Sequence, residues 1–289
     1  MKKLLTLGVL SKGVPAPNFE ELYKNLDKIK DLYKIQMMLR VGGLAEKSSI
    51  LRAFSPFCYI KKGCNNMDIQ KILEQRHSVR KYTNKEIDKK FVDELNRDIE
   101  QYNKIGGLHI QFITNEPNSF GKSFLADFGK FKNVNNYIVM IGRKCDNLDE
   151  KIGYFGEKLV IKAQSLGLNT CWVGGTYSKK NTEYDIEEDE KLVCIIAIGY
   201  GETNGKTRKL KSISSVASSD VEMPDWFLNG VRFALLAPTA LNQQRYKITL
   251  KDNKVEIVSK MGFYTKVDLG IIKYHFELGA GKEHYIFKF

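Results

Sequence analysis

The chain has 289 residues, long enough for one large domain or two small ones, with 43% hydrophobic and 11% aromatic residues, as expected of a globular protein. No apolar run approaches the length that spans a bilayer, which argues against a membrane protein. The net charge is +12, of which residues 1–66 supply 12 Lys/Arg against 5 Asp/Glu; apart from KTRKLK at 206–211 the basic residues are scattered. Scattered charge favours a solvated surface over a nucleic-acid site, which needs a patch interleaved with aromatics.

The first residues, MKKLLTLGVL, resemble the charged and apolar parts of a signal peptide. The apolar part is short and Lys12 follows without a small-residue cleavage site, so export is not expected. Cys58, Cys64, Cys145, Cys171 and Cys194 are odd in number, form no CxxC pair and have no His at metal-ligand spacing. Cys171 and Cys194 lie in apolar runs and read as buried thiols in a reducing cytoplasm. His77, His109, His275 and His284 also lack metal or triad spacing and are taken as structural, so no metal site is expected.

In chain order, Pro15 and Pro17 precede Asn18, which begins a capping-box pattern with Glu21. Phe19, Leu22, Leu26, Ile29 and Tyr33 then predict an amphipathic helix over 19–40. A Gly/Ser stretch and a Cys/Lys-rich linker end at Asn65-Asn66. Residues 1–66 are therefore read as a helical extension of unknown role, with a nucleic-acid or membrane-surface role for its basic helix left as a rival. The main domain is read as 67–289.

From Met67 the pattern alternates. Helices are expected at 68–75, 88–103, 122–130, 153–166, 188–191, 224–236 and 267–279, with Gly167 as the C-cap of the fourth. Strands are expected at 108–114, 136–143, 170–175, 192–201, 245–251, 254–260 and 284–289. The class is α+β. A weak internal repeat is visible: a shift of 137 lays Ser78-Val79 on Ser215-Val216 and strand 108–113 on 245–250, and a shift of 114 lays Gly156 on Gly270 and Gly167 on Gly281. The difference between the shifts implies about 23 fewer residues in the second copy, and chance alone also produces matches of this quality.

Four strings carry chemistry. In RHSVR (76–80), Arg76, Ser78 and Arg80 alternate, so an extended segment turns two guanidiniums and a hydroxyl to one side, fit for an anion. In APTALNQQ (237–244), Pro238 stops a helix and Thr239, Asn242 and Gln244 offer groups that match a heteroaromatic edge. In VGGTY (173–177), Gly174 and Gly175 bare the backbone to a flat ligand. In KTR (206–208), Lys206 and Arg208 can clamp a phosphate. Each string taken singly also reads as an ordinary polar turn. GYGETNG (199–205) lacks the dinucleotide-loop spacing, and no Rossmann site is assigned.

Together with GEKLVIKAQSLGLNTCWVGGTY (156–177) and IAIGYGETNGKTRK (196–209), these strings make the chain from Met67 onward resemble the nitroreductase family of FMN-dependent oxidoreductases. The resemblance implies a mixed central sheet flanked by helices, and an enzyme that passes hydride from NADH or NADPH through FMN to a nitroaromatic, quinone or similar small acceptor. An FMN carrier or sensor with little turnover is the alternative. It further implies that Arg76, Ser78, Lys206 and Arg208 hold the phosphate, with His77 beside them. Arg80 would serve the N1/O2 edge of the ring, Gly174 and Gly175 would face N5 and O4, and Pro238, Thr239, Ala240, Leu241, Asn242 and Gln244 would line the ring. Arg80 and Gly174 are the residues expected closest to the chemistry. Many relatives carry Glu where this chain has Gly174.

One departure matters. In ordinary members the proline–Ser/Thr–Asn loop follows RxSxR within one copy, whereas NRDIEQYNKIGGL (96–108) stands there in this chain and the loop appears only at 237–244. The second copy has Ala217 where the first has Arg80. The chain therefore reads as two degenerate copies, about 67–211 and 212–289. They would form a monomeric pseudo-dimer with one FMN site, a small-molecule partner, and neither nucleic acid nor membrane. Phe263 and Tyr264 are candidates for stacking near the substrate.

Overall fold

The computed structural model describes residues 69–120 and 129–285. The chain divides at Asn66/Met67 into two units, and every described residue belongs to the second. The expected helix at 19–40, most of that at 122–130 and the end of the last strand lie outside the described residues.

Helix α1 (Ile69–Gln75) is followed by the extended segment that carries RHSVR. Helix α2 (Lys89–Gly106) starts where the Asp88 carboxylate accepts from the Lys90 N–H at 3.0 Å, and it stops at Gly107, whose φ of 62° places it in the left-handed region. Strands β1 (Gln111–Ile113) and β2 (Tyr137–Arg143) lead into α3 (Leu148–Ser165). That helix begins five residues before the expected start, because Leu148 and Ile152 extend its buried face. Gly167, at φ 77°, turns the chain into β3 (Asn169–Val173). Strand β4 (Glu190–Gly199) follows.

The helix expected at 188–191 does not form. Glu190 and Lys191 instead pair with Arg143 and Gly142 of β2, since a four-residue helix cannot compete with a sheet partner. The first sheet has the order β1-β2-β4-β3, and its strands all pair antiparallel. The apolar runs of β2 and β4 are its centre, covered on both faces. The parallel pairing of the expected mixed sheet enters through a bridge between Ser78 and Thr170, and through the second sheet.

Beyond β4 come α4 (Ile213–Val216), β5 (Ala217–Ser219) and α5 (Asp225–Leu235). The hairpin of β6 (Tyr246–Lys251) and β7 (Lys254–Ser259) turns at Asp252-Asn253, both at positive φ, the geometry that matches strand twist. Strand β5 lies parallel to β6, so the second sheet runs β5-β6-β7. Helix α6 (Thr265–Ala280) packs against both α3 and α5. Residues 284–285 are not in a strand.

The α3–α6 crossing is reciprocal. A Cβ at Gly153 would lie 2.0 Å from the Val267 carbonyl oxygen, and one at Gly270 would lie 1.9 Å from that of Glu150. Each glycine therefore meets the residue three positions before the other, the pattern of a two-fold contact. The antiparallel strand pairs follow suit: Gln111 pairs with Val139 in the first sheet, and Ile248 with Ile257 in the second. The spacing is 137 from Gln111 to Ile248, 118 from Val139 to Ile257, and 117 from Gly153 to Gly270.

Two details of the sequence overlay are corrected. Gly270 meets the backbone beside Gly153 rather than Gly156, where the missing side chain instead admits the Trp172 indole, 2.4 Å from a would-be Cβ. A slip of three residues preserves helical periodicity, so the apolar pattern could not fix the register. Ser215-Val216 does not repeat Ser78-Val79: Ser78 bridges to Thr170, whereas Val216 ends α4 and Ala217 pairs with Ile248.

Candidate functional site

The segment after α1 enters the site still half helical. The Arg76 N–H donates to the Ile72 carbonyl, and strand-like pairing begins only where the Val79 N–H donates to the Thr170 carbonyl, both at 3.0 Å. The expected alternation therefore holds for Ser78 and Arg80, which are exposed toward a cavity, but not for Arg76, which is 2% exposed and buried.

The cavity has a volume of about 400 Å³. Ser78 and Arg80 form one wall, Gly174 and Gly175 at the end of β3 a second, and Pro238, Thr239, Ala240 and Leu241 a third. Phe263, Tyr264 and Asp268 close it from the start of α6. Residues from both strands of evidence in the sequence, 76–80 and 237–244, thus meet in one place. The Arg80 guanidinium lies 5.9 Å over the Phe131 ring, with no carboxylate partner among the described residues.

Loop 238–244 is built from strained backbone. Leu241, Asn242 and Gln244 have φ of 52°, 53° and 46°, conformations that cost a non-glycine residue roughly 1–2 kcal/mol each. Side chains hold it in place. The buried Asp268 carboxylate accepts from the Ala240 N–H at 2.9 Å and from Gln243 Nε2 at 3.0 Å. Asn242 Nδ2 and Gln244 Nε2 both donate to the Lys209 carbonyl at 2.9 Å, and Gln244 Oε1 accepts from the Lys211 N–H at 2.9 Å. The amides of Asn242 and Gln244, expected to face a ring, are thus spent on clipping residues 209–211 to the loop, and neither residue lines the cavity. Burial raises the Asp268 carboxyl to about 6, opposed by its two hydrogen bonds.

Gly174 lines the cavity and also has a second reason to lack a side chain. A Cβ there would sit 2.5 Å from the Tyr264 ring, and the Tyr264 hydroxyl donates to the Gly174 carbonyl at 2.7 Å. The bare backbone at 174 admits Tyr264, whereas Gly175 has open space beside it.

Beside Ser78 lies a cationic cluster. Arg76 Nε and Nη2, His77 Nδ1 and Arg208 Nε are buried without hydrogen-bond partners among the described residues. Burial lowers the Arg76 guanidinium, against the pull of the Glu157 carboxylate. Burial and Arg76 together bring Arg208 down to about 10, and burial, Arg76 and Arg208 lower His77. Arg208 Nη2 donates to the Leu236 carbonyl. Lys206 is exposed and does not line the cavity. Cys171, in the cavity wall, feels both Arg76 and Arg80.

Three residues at or behind the cavity wall were not singled out from sequence: Glu157, Asp268 and Trp172. Glu157 is fully buried in α3; its two oxygens accept from Trp172 Nε1 and pair with His275 Nε2, both at 2.9 Å. His275 Nδ1 faces the Phe233 carbonyl, which can only accept, so that nitrogen carries hydrogen. This network ties α3 to α6 behind the cavity wall. Its sequence signal was a lone carboxylate on an otherwise apolar helix face. Among the described residues no three His, Cys, Asp or Glu side chains are grouped to hold a metal, and no helix is long and apolar enough to cross a membrane.

The structure thus has an α+β fold and a cavity lined by residues far apart in the chain, with buried Arg76 and partly buried Arg208 near Ser78. The family model described as "Putative TM nitroreductase" matches residues 68–280, and the chain belongs to this nitroreductase family. It is similar to a solved structure from Thermotoga maritima described as a putative nitroreductase, with 25% identity, a TM-score of 0.54, and 74% of this chain and 84% of that chain covered. An FMN-dependent nitroreductase from Clostridium difficile matches at 21% identity and TM-score 0.37, covering 50% of this chain and 92% of its own. A Desulfovibrio desulfuricans protein, described as a putative nitroreductase in complex with FMN, matches at 13% identity and TM-score 0.41, covering 53% and 96%. No curated protein matches the chain.

Proposed function

We propose that the protein is an FMN-dependent NAD(P)H oxidoreductase acting on a nitroaromatic, quinone or similar small acceptor. The observation that carries this reading is the set of unpartnered buried nitrogens on Arg76, His77 and Arg208, beside a cavity walled by Ser78, Arg80 and residues 238–241. Buried donors without partners are costly, by about 1–3 kcal/mol each, and a phosphate dianion answers several at once. The residues therefore fit FMN, whose flat ring suits the bare backbone at Gly175 and the Thr239–Leu241 wall.

When bound, FMN supplies acceptance of hydride from NAD(P)H and its delivery to a second substrate in a ping-pong cycle. Arg76 and Arg208 neutralise the phosphate, with Ser78 beside them and Lys206 adding long-range positive potential from the surface. Arg80, without a carboxylate partner among the described residues, would stabilise negative charge on a reduced ring. Asn242 and Gln244 serve indirectly, by holding the ring-side loop against residues 209–211.

The reciprocal Gly153–Gly270 crossing and the matched strand pairs support a further part of the reading. Residues 67–211 and 212–289 are two degenerate copies in a monomeric pseudo-dimer of the cytoplasm, and one FMN site survives between them. Steady-state oxidation of NADH and NADPH with menadione, catalysed by the FMN-loaded full chain, tests the enzyme. Turnover no faster than that of free FMN would overturn it and leave a carrier or sensor.

A further inference from the structure

Tyr246 opens β6, in the second half of the chain, and is 1% exposed. Its ring belongs to the main hydrophobic core, yet its hydroxyl is buried without a hydrogen-bond partner. A buried phenol usually finds one. The neighbours are informative: the Arg208 guanidinium acts on the Tyr246 phenol and the phenol on Arg208, while Arg208 in turn acts with Arg76 on His77. Arg208 is the shared neighbour of Arg76, His77 and Tyr246, and each of the four carries a buried atom with no hydrogen-bond partner among the described residues. The clip between residues 209–211 and loop 242–244 holds the two chain segments that carry Arg208 and Tyr246 together.

We infer that Tyr246 is a further wall of the phosphate site, its phenol donating to the anion that Arg76, His77 and Arg208 surround. The inference rests on the FMN reading. It makes the phosphate end composite as well: the second half, which lacks an RxSxR string, supplies a neutral donor there. A neutral phenol adds a directed hydrogen bond without increasing the repulsion between the two guanidiniums.

Tyr246→Phe removes one oxygen and tests this in the full chain by fluorescence titration of the apoprotein with FMN and with riboflavin, which lacks the phosphate. The expected result is an FMN Kd raised about tenfold and a riboflavin Kd changed less than twofold. The apoprotein Tm should be equal or higher, because an unpaired buried hydroxyl is lost. An unchanged FMN-to-riboflavin affinity ratio, or a lowered apoprotein Tm that reveals a structural partner, would overturn the inference. If the wild type binds neither flavin, the FMN reading itself fails. Thermal shift by inorganic phosphate then decides Tyr246: stabilisation in the wild type that is lost in Tyr246→Phe supports it, and equal or absent stabilisation overturns it.

Discussion

Gly270→Ala probes the helix crossing on which the two-copy account depends. The new Cβ would lie 1.9 Å from the Glu150 carbonyl oxygen and 2.6 Å from the Tyr154 nitrogen, both backbone atoms of α3. A carbon–oxygen contact needs about 3.3 Å, so the helices must part by more than about 1 Å. No rotamer change relieves a clash with backbone. Overpacking of this kind costs about 1–3 kcal/mol and more in severe cases, against roughly 1 kcal/mol gained from helix propensity. We expect a net loss of about 1–2 kcal/mol, or roughly 2–8 °C in Tm for a domain of this size. Gly153→Ala should behave alike, since its Cβ meets the Val267 carbonyl oxygen at 2.0 Å. The double variant should lose clearly less than the sum, because one separation of α3 and α6 relieves both clashes. Thermal unfolding followed by circular dichroism measures all three. An unchanged or raised Tm for Gly270→Ala, or additive losses, would refute the reciprocal crossing.

Three further outcomes are expected. Arg80→Ala should weaken FMN and slow its reduction by NAD(P)H, each about tenfold or more, in stopped-flow absorbance; wild-type values would sink that role. Asp268, raised to about 6 from 3.8, makes the native state bind more protons than the unfolded state between those values. Its contribution to stability therefore grows as pH falls through that window, by up to about 3 kcal/mol. The Cys194 thiol, which Asp268 influences, is pushed up and does not titrate there. In urea titrations at pH 4 to 7 the wild type should gain stability relative to Asp268→Asn as pH falls, and a pH-independent difference would contradict the assignment. Gly174→Ala should displace the Tyr264 ring and cost about 1 kcal/mol, and Tyr264→Ala should remove that cost. A penalty that survives in the double variant would show another origin.

Much of the fold could be read from the sequence because local rules and tertiary packing agree. The Asp88 cap, the apolar runs of β2 and β4 and the two-residue Asp252-Asn253 turn are local signals that the structure keeps. Glu190 and Lys191 misled because their helical preference is overridden by pairing with β2. The meeting of Ser78 and Arg80 with residues 238–241 was legible through the family resemblance, since no spacing rule joins segments so far apart. The directions of Arg76, Asn242 and Gln244 were not. Arg76 belongs to the helix end, and the amides of Asn242 and Gln244 follow from left-handed backbone that composition does not reveal. Asp268 stayed hidden because a single carboxylate within a helix has no motif around it, and Glu157 because the string that holds it, 156–177, does not show that it pairs with His275 over a hundred residues away.

The central claim is one composite FMN site per chain. The direct measurement is the visible spectrum of the purified full-length protein after incubation with excess FMN and removal of the free flavin. Flavin released on denaturation is identified and counted against protein. The account predicts FMN at one per chain. Two per chain would contradict the single site between the two copies, and none would contradict the oxidoreductase reading.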